Sequence, residues 1–131
     1  MAHLSFEYSA SLEPDLDLQS FCDHLRDAMD GTGVFPLGGI RVRGTRVDVA
    51  TIASGADELA FIDMTLRMGM GRDEEARIDV METIYAAAET WLKPHLDGRP
   101  FALSLEVMEI NARFAEKRFN TIHDFLKTEG T

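Results

Sequence analysis

The stretch Phe61-Ile62-Asp63-Met64-Thr65-Leu66-Arg67-Met68-Gly69-Met70-Gly71-Arg72-Asp73-Glu74-Glu75 changes period in the middle, and that change decides the fold class. Ile62, Met64, Leu66 and Met68 alternate with Asp63, Thr65 and Arg67, the pattern of a strand with one buried face. Gly69-Met70-Gly71 ends the run. Asp73-Glu74-Glu75 then opens a long helix, because acidic groups at a helix start offset its positive end. The apolar stripe expected along that helix is Ile78, Met81, Tyr85, Ala88 and Leu92, closing near Pro94 and Asp97-Gly98. Leu103, Leu105 and Val107 supply the next strand.

The first half follows the same plan. Leu4, Phe6 and Tyr8 alternate with His3, Ser5 and Glu7, giving a first strand. After Glu13-Pro14-Asp15, the spacing of Leu18, Phe21, Cys22, Leu25, Ala28 and Met29 is helical, with acidic residues expected in the first turn and an end at Gly31 and Gly33. From Ile40 the alternation returns, with Val42 beside it and Arg41 and Arg43 opposite. The next apolar pair is Val47 and Val49, out of phase, so a bulge or bend is expected at Gly44-Thr45. A last short helix around Ile122, Phe125 and Leu126 is expected, capped by Asn120 or Thr121.

The order strand, helix, strand, strand, helix, strand predicts an α+β sandwich: a four-stranded sheet with both helices on one face, in a single domain over 1–131. The opposite face, which includes Phe61, Ala102 and Met108, would lack cover, and association with further copies supplies it.

The 131 residues carry a formal net charge of −10, which opposes binding to nucleic acid. No apolar run reaches the ~20 residues of a spanning helix and Met1–Ser11 lacks the pattern of a signal peptide, so no membrane association and a cytoplasmic location are expected. One cysteine, Cys22, allows no intrachain disulfide and agrees with a reducing compartment. Arg41, Arg43 and Arg46 nevertheless cluster, with Arg67 and Arg72 further on, which permits a local anion site in an acidic protein.

Three segments together resemble the 5-carboxymethyl-2-hydroxymuconate isomerase family of the tautomerase superfamily: Gly33-Val34-Phe35-Pro36-Leu37-Gly38-Gly39-Ile40-Arg41-Val42-Arg43, Phe61 through Arg72, and Ala102-Leu103-Ser104-Leu105-Glu106. The resemblance implies a homotrimer that isomerises an unsaturated hydroxy-carboxylic acid in aromatic catabolism, with no cofactor and no metal. It also implies a catalytic amino-terminal proline as general base, with arginines at the positions of Arg41 and Arg72 binding the small anionic substrate. Here Ala2 stands at the proline's position. An α-amine titrates at ~7.7 to 8 and so can serve as a base near neutrality. With Met1 removed, Ala2 presents that amine. With Met1 retained, the amine moves by up to ~3.6 Å and little family activity is expected.

Other residues have plainer readings. His3, His24, His95 and His123 lack metal-ligand spacing and suit surface or capping roles. Met64, Met68, Met70, Met81 and Met108 read as core or interface filler, and Cys22 as buried and inert. Arg43, Arg46 and Arg67 read as surface charge, while Glu7 and Glu106 receive no role. Two functional classes remain: an isomerase using the amino-terminal amine, and a non-catalytic anion-binding or regulatory module that keeps the arginines. A purely structural oligomer gives no reason for arginines at both family positions.

Overall fold

The computed structural model describes residues 1–130. Its elements are β1 (Ala2–Ser9), α1 (Leu18–Gly31), β2 (Ile40–Val47), β3 (Ala60–Gly69), α2 (Glu74–Leu92), β4 (Phe101–Ile110) and α3 (Ile122–Glu129), joined in part by short 3-10 turns. The strands lie in the order β2-β1-β3-β4, with β1 parallel to β2, antiparallel to β3, and β3 parallel to β4. The expected α+β sandwich is the observed fold.

Alternation explains the sheet. Ala2, Leu4 and Phe6 of β1 and Ala60, Ile62, Met64, Leu66 and Met68 of β3 are buried beneath the helices. β1 and β3 are the two central strands, which is why their apolar faces are the most completely covered. From α1, Phe21, Leu25 and Met29 descend onto this layer, and the Phe21 ring meets Phe6 edge-on with centroids 5.2 Å apart.

Three local expectations require correction. The acid expected in the first turn of α1 is instead its N-cap: Asp17 accepts a hydrogen bond from the Ser20 N–H at 3.2 Å, and no acidic residue lies in the first turn. On α2, the buried line is Val80, Ile84, Ala88 and Leu92. Ile78, 41% exposed, and the half-buried Met81 and Tyr85 turn toward β4, where Tyr85 donates to the Leu103 carbonyl at 3.1 Å. Because β4 is an edge strand, that flank of the helix has only half a layer beneath it.

The third correction concerns Gly44-Thr45. The register of β2 against β1 is constant from Ala2↔Ile40 to Ser9↔Val47, so the strand carries no bulge. The apolar phase shifts because the core ends there: Val47 faces the other side of the sheet, and Val49, 92% exposed, lies beyond the strand. Gly44 is glycine for a packing reason. A Cβ at that position would overlap the ring of Phe6, the residue directly across the ladder.

The face away from the helices carries His3, Ser5, Glu7, Arg41, Arg43, Asp63, Thr65, Arg67, Ser104 and Glu106, with Phe61 half-buried and Met108 47% exposed. Among the described residues no helix is long and apolar enough to cross a membrane.

Gly44→Ala is expected to lower the unfolding free energy by about 1–3 kcal/mol, since the Phe6 ring is pinned between its neighbours and cannot yield without repacking. Urea denaturation of the variant, alone and with Phe6→Leu, checks this: the second change should recover part of the loss.

Candidate functional site

The amino-terminus of β1, the start of β2 and the chain after β4 meet around a cleft of about 470 Å³ lined by Met1, His3, Pro36, Gly39, Arg41, Lys117, Phe119, Asn120 and His123. Register places the first of these. Since Ala2 pairs with Ile40 on one side and Met68 on the other, His3 lies between Arg41 and Arg67 on the face away from the helices. The Met1 carbonyl accepts a hydrogen bond from the Gly69 N–H at 3.3 Å, which extends the ladder by one residue and fixes the terminus.

The glycine pair Gly38-Gly39, in the 3-10 turn Leu37–Gly39, makes the cleft. A Cβ on Gly39 would lie 3.3 Å from the Met1 Cα and 3.4 Å from its nitrogen. A Cβ on Gly38 would overlap the ring of His123. One glycine therefore admits the amino-terminus and the other admits α3, which packs on this turn.

The electrostatics of the cleft are cationic. Among the described residues, neither the Arg41 guanidinium nor the Lys117 ammonium has a hydrogen-bond or ion-pair partner. The Met1 amine is held below its ordinary value of 8.0, first by burial and then by the charges of Lys117, Arg41 and Arg72. His3 is likewise held below 6.5 by burial, then by Arg43, Arg67, Arg41 and the amine. Its Nδ1 sits 3.3 Å from the Arg43 guanidinium. Since guanidinium only donates, Nδ1 accepts and the neutral ring carries its proton on Nε2.

A cleft of similar size, about 430 Å³, runs between α2 and β4, but its cations are paired within the chain. Lys93 lies 3.7 Å from Glu89, and Arg99 3.1 Å from Asp15. Of these two clefts, the amino-terminal one leaves positive charge unanswered among the described residues, in a protein of net charge −10.

The predicted residues fall as follows. Arg41 lines the cleft. Arg72 does not; its guanidinium donates to the Val34 carbonyl at 2.9 Å, near enough to weigh on the amine and also to brace the loop that precedes Gly38. Ala2 is fully buried, its methyl toward the helices, with Met1 occupying the cleft in front of it. Arg46 is a surface residue bound by Glu13 and Asp48, as read. Arg43 and Arg67, read as surface charges, act on His3. Glu7 and Glu106 share a face but not a register, standing across from Asp63 and Thr65. His24 bonds the Ala87 carbonyl and His95 stacks on Trp91, so both are structural.

Sequence reading missed Lys117, Asn120 and His123 as site residues. No periodicity marks 115–120, and only the fold-back of α3 onto Gly38 brings that stretch to the amino-terminus. The glycine pair was the available signal, since two adjacent glycines before a strand ask for close approach by something.

Comparison with known proteins agrees along nearly the whole length. The model of the family described as 5-carboxymethyl-2-hydroxymuconate isomerase matches residues 2–126. A 5-carboxymethyl-2-hydroxymuconate Delta-isomerase of Escherichia coli is 32% identical over 127 residues, covering 97% of this chain and all of that protein. A crystal structure of a 5-carboxymethyl-2-hydroxymuconate delta-isomerase superposes with TM-score 0.85 at 33% identity, over 96% of this chain and 93% of the other. A 5-carboxymethyl-2-hydroxymuconate isomerase from Deinococcus radiodurans R1 gives 0.86 at 26%, over 95% and 93%.

Gly38→Ala should push His123 off the turn and loosen α3 while leaving the sheet intact. Hydrogen–deuterium exchange read by mass spectrometry should show faster exchange over 112–130 and unchanged protection in β1 and β3.

Proposed function

The chain belongs to the 5-carboxymethyl-2-hydroxymuconate isomerase family, and from that premise we propose that it is a tautomerase of the tautomerase superfamily that converts an unsaturated 2-hydroxy acid from its dienol to the conjugated keto acid, in the catabolism of aromatic compounds. The observation that carries this reading is the placement of the chain's amino-terminus in one cleft with Arg41 and Lys117, cations that lack internal partners among the described residues.

Each part has a chemical task. A carboxylate takes the fork of Arg41, whose planar donors match two oxygens at once. Arg72, outside the cleft and donating to the Val34 carbonyl, adds its charge to those that disfavour a proton on the amine. The amino-terminal amine takes the dienol proton and returns it to a remote carbon of the conjugated chain. The product ketone regains conjugation. No redox change occurs, so the reaction asks for no electron carrier, and the cationic surroundings stabilise the dienolate charge as it spreads.

Ala2 has the position that the resemblance gives to the catalytic proline. In a chain whose first residue is Ala2, the amine stands where the Met1 peptide now lies against Gly39, and the volume of the Met1 side chain passes to the substrate. In a chain that keeps Met1, the amine is one residue out of place. The anion-binding module without catalysis is the alternative, and the terminus separates the two.

We also propose a homotrimer acting in the cytoplasm. The exposed face of the sheet and the unpaired edges of β2 and β4 are the surfaces that further copies would cover. Sedimentation should give three times the mass of one chain; a stable monomer at micromolar concentration would overturn this assembly.

Ketonisation of 2-hydroxymuconate, followed by absorbance on proteins whose termini are established by intact mass, tests the mechanism. The Met1 form should be nearly inactive, the Ala2 form weakly active, and an Ala2→Pro chain lacking Met1 at least about tenfold faster, because a ring-constrained amine is held in one orientation. Equal rates in all three would remove the amine from the mechanism.

The rate should rise with pH as the amine deprotonates, since the neutral amine is the active form; in the Met1 form the amine itself should titrate below 8.0, because burial and then Lys117, Arg41 and Arg72 disfavour its proton. Arg41→Ala should cost about 10²-fold in kcat/KM through the lost charge-assisted pair.

A further inference from the structure

Apart from the charge of Lys117 on the amine, the tail after β4 has no function in the reading above, yet it supplies four of the residues around the cleft: Lys117, Phe119, Asn120 and His123. Its course is held by local bonds. The Asn111 side chain accepts from the Arg113 N–H at 3.0 Å, and the Asn120 side chain accepts from the Ile122 N–H at 2.8 Å. His123 then lodges over Gly38. These contacts set the stretch 115–120 across the amino-terminus.

Among the described residues, Lys117 is placed there without a counter-charge. Its acidic neighbour, Glu116, is engaged by Arg118, accepting from the Arg118 N–H at 3.3 Å and pairing with its guanidinium at 3.8 Å. The ammonium therefore faces the cleft with its three donors unclaimed within the described residues. Phe119, 93% exposed and also at the cleft, is an apolar wall with nothing packed on it.

The division of labour follows from valence. A carboxylate has two oxygens, and the fork of Arg41 on β2 takes both. Lys117 arrives from a different element and offers a second, separate positive point, to which a compact ammonium suits a second anionic group.

Resting on the isomerase reading for the nature of the substrate, we propose that Lys117 determines specificity: it binds a second carboxylate, remote from the one on Arg41, so that the site selects dicarboxylates over monocarboxylates. Phe119 lies against the unsaturated carbon chain that joins the two. The influence of Lys117 on the Met1 amine, greater than that of Arg41, agrees with its closeness to the reacting end.

Two six-carbon dienes differing only in one carboxylate, trans,trans-muconate and sorbate, measure this by calorimetry at pH 7.5. The native chain should bind muconate at least about tenfold more tightly than sorbate, the ratio expected for one hydrogen-bonded charge. Lys117→Met should abolish that ratio and leave sorbate affinity unchanged, and Lys117→Arg should restore it. Since the side chain is exposed, thermal melts of the variants should match the native chain.

A preference for muconate that survives in Lys117→Met, or no preference in the native chain, overturns the proposal. Because the measurement is of binding, it is independent of turnover. If no form of the terminus ketonises 2-hydroxymuconate while the Lys117-dependent preference holds, the isomerase reading fails and the dicarboxylate site stands. With turnover, Lys117→Met should raise KM for 2-hydroxymuconate about tenfold with a smaller change in kcat, which a merely structural role would not produce.

Discussion

The double pairing of β1 governs the rest of the molecule. A strand with neighbours on both sides has its register fixed twice, here by Ile40 across from Ala2 in β2 and by Met68 across from it in β3. A slip of one residue would turn Leu4 and Phe6 to the open face and bury Glu7, so the apolar alternation locks the ladder. Once locked, it has no freedom left at its end: His3 must lie between Arg41 and Arg67, and the terminus must press on Gly39. The cationic cleft is thus a by-product of core packing, formed by polar residues whose neighbours are chosen by the apolar ones.

That dependence explains what could be read in the sequence. Strands announced themselves because two central strands buried on one face print a period of two, and Ile62 through Met68 print it without interruption. α1 was equally plain, since its face of Phe21, Leu25 and Met29 meets a full layer. α2 was misread in phase because it straddles the sheet's edge, where Ile78, Met81 and Tyr85 look like a core stripe yet meet only β4. The Gly44 phase change looked like a bulge because a glycine that yields room to Phe6 and a glycine that bends a strand leave the same trace.

For the site, Arg41 was legible because it sits on a strand whose place follows from pattern and resemblance. Arg72 was placed near the terminus but not at the cleft; a residue between a strand and a helix has its side-chain direction set by whichever carbonyl is in reach, here that of Val34. Lys117 and His123 left no trace, because contact between residues near the two ends of a chain is decided by how the last helix docks. That docking depends on one absent methyl group, at Gly38. Such contacts are written in shape and not in periodicity.

The unpaired cations carry a cost that bears on how the site works. A lowered amine pKa means that the folded chain binds the terminal proton less well than the unfolded one, whose value stays near 8.0. Above 8 both states are neutral at this group and nothing is lost. As pH falls through the window from 8 down to the folded value, the unfolded state gains the proton first and stability declines. The acids of this chain offset many of its basic groups elsewhere, as Glu13 and Asp48 do for Arg46, but among the described residues they leave Arg41 and Lys117 alone. An anion entering the cleft removes that repulsion, and the free energy stored against folding becomes free energy of binding, so the bound protein should also be the more stable one. The same anion would draw the amine's pKa upward. The charges of Lys117, Arg41 and Arg72 that would attract an anion are thus the same charges that hold the Met1 amine below its ordinary value, so the two effects oppose each other.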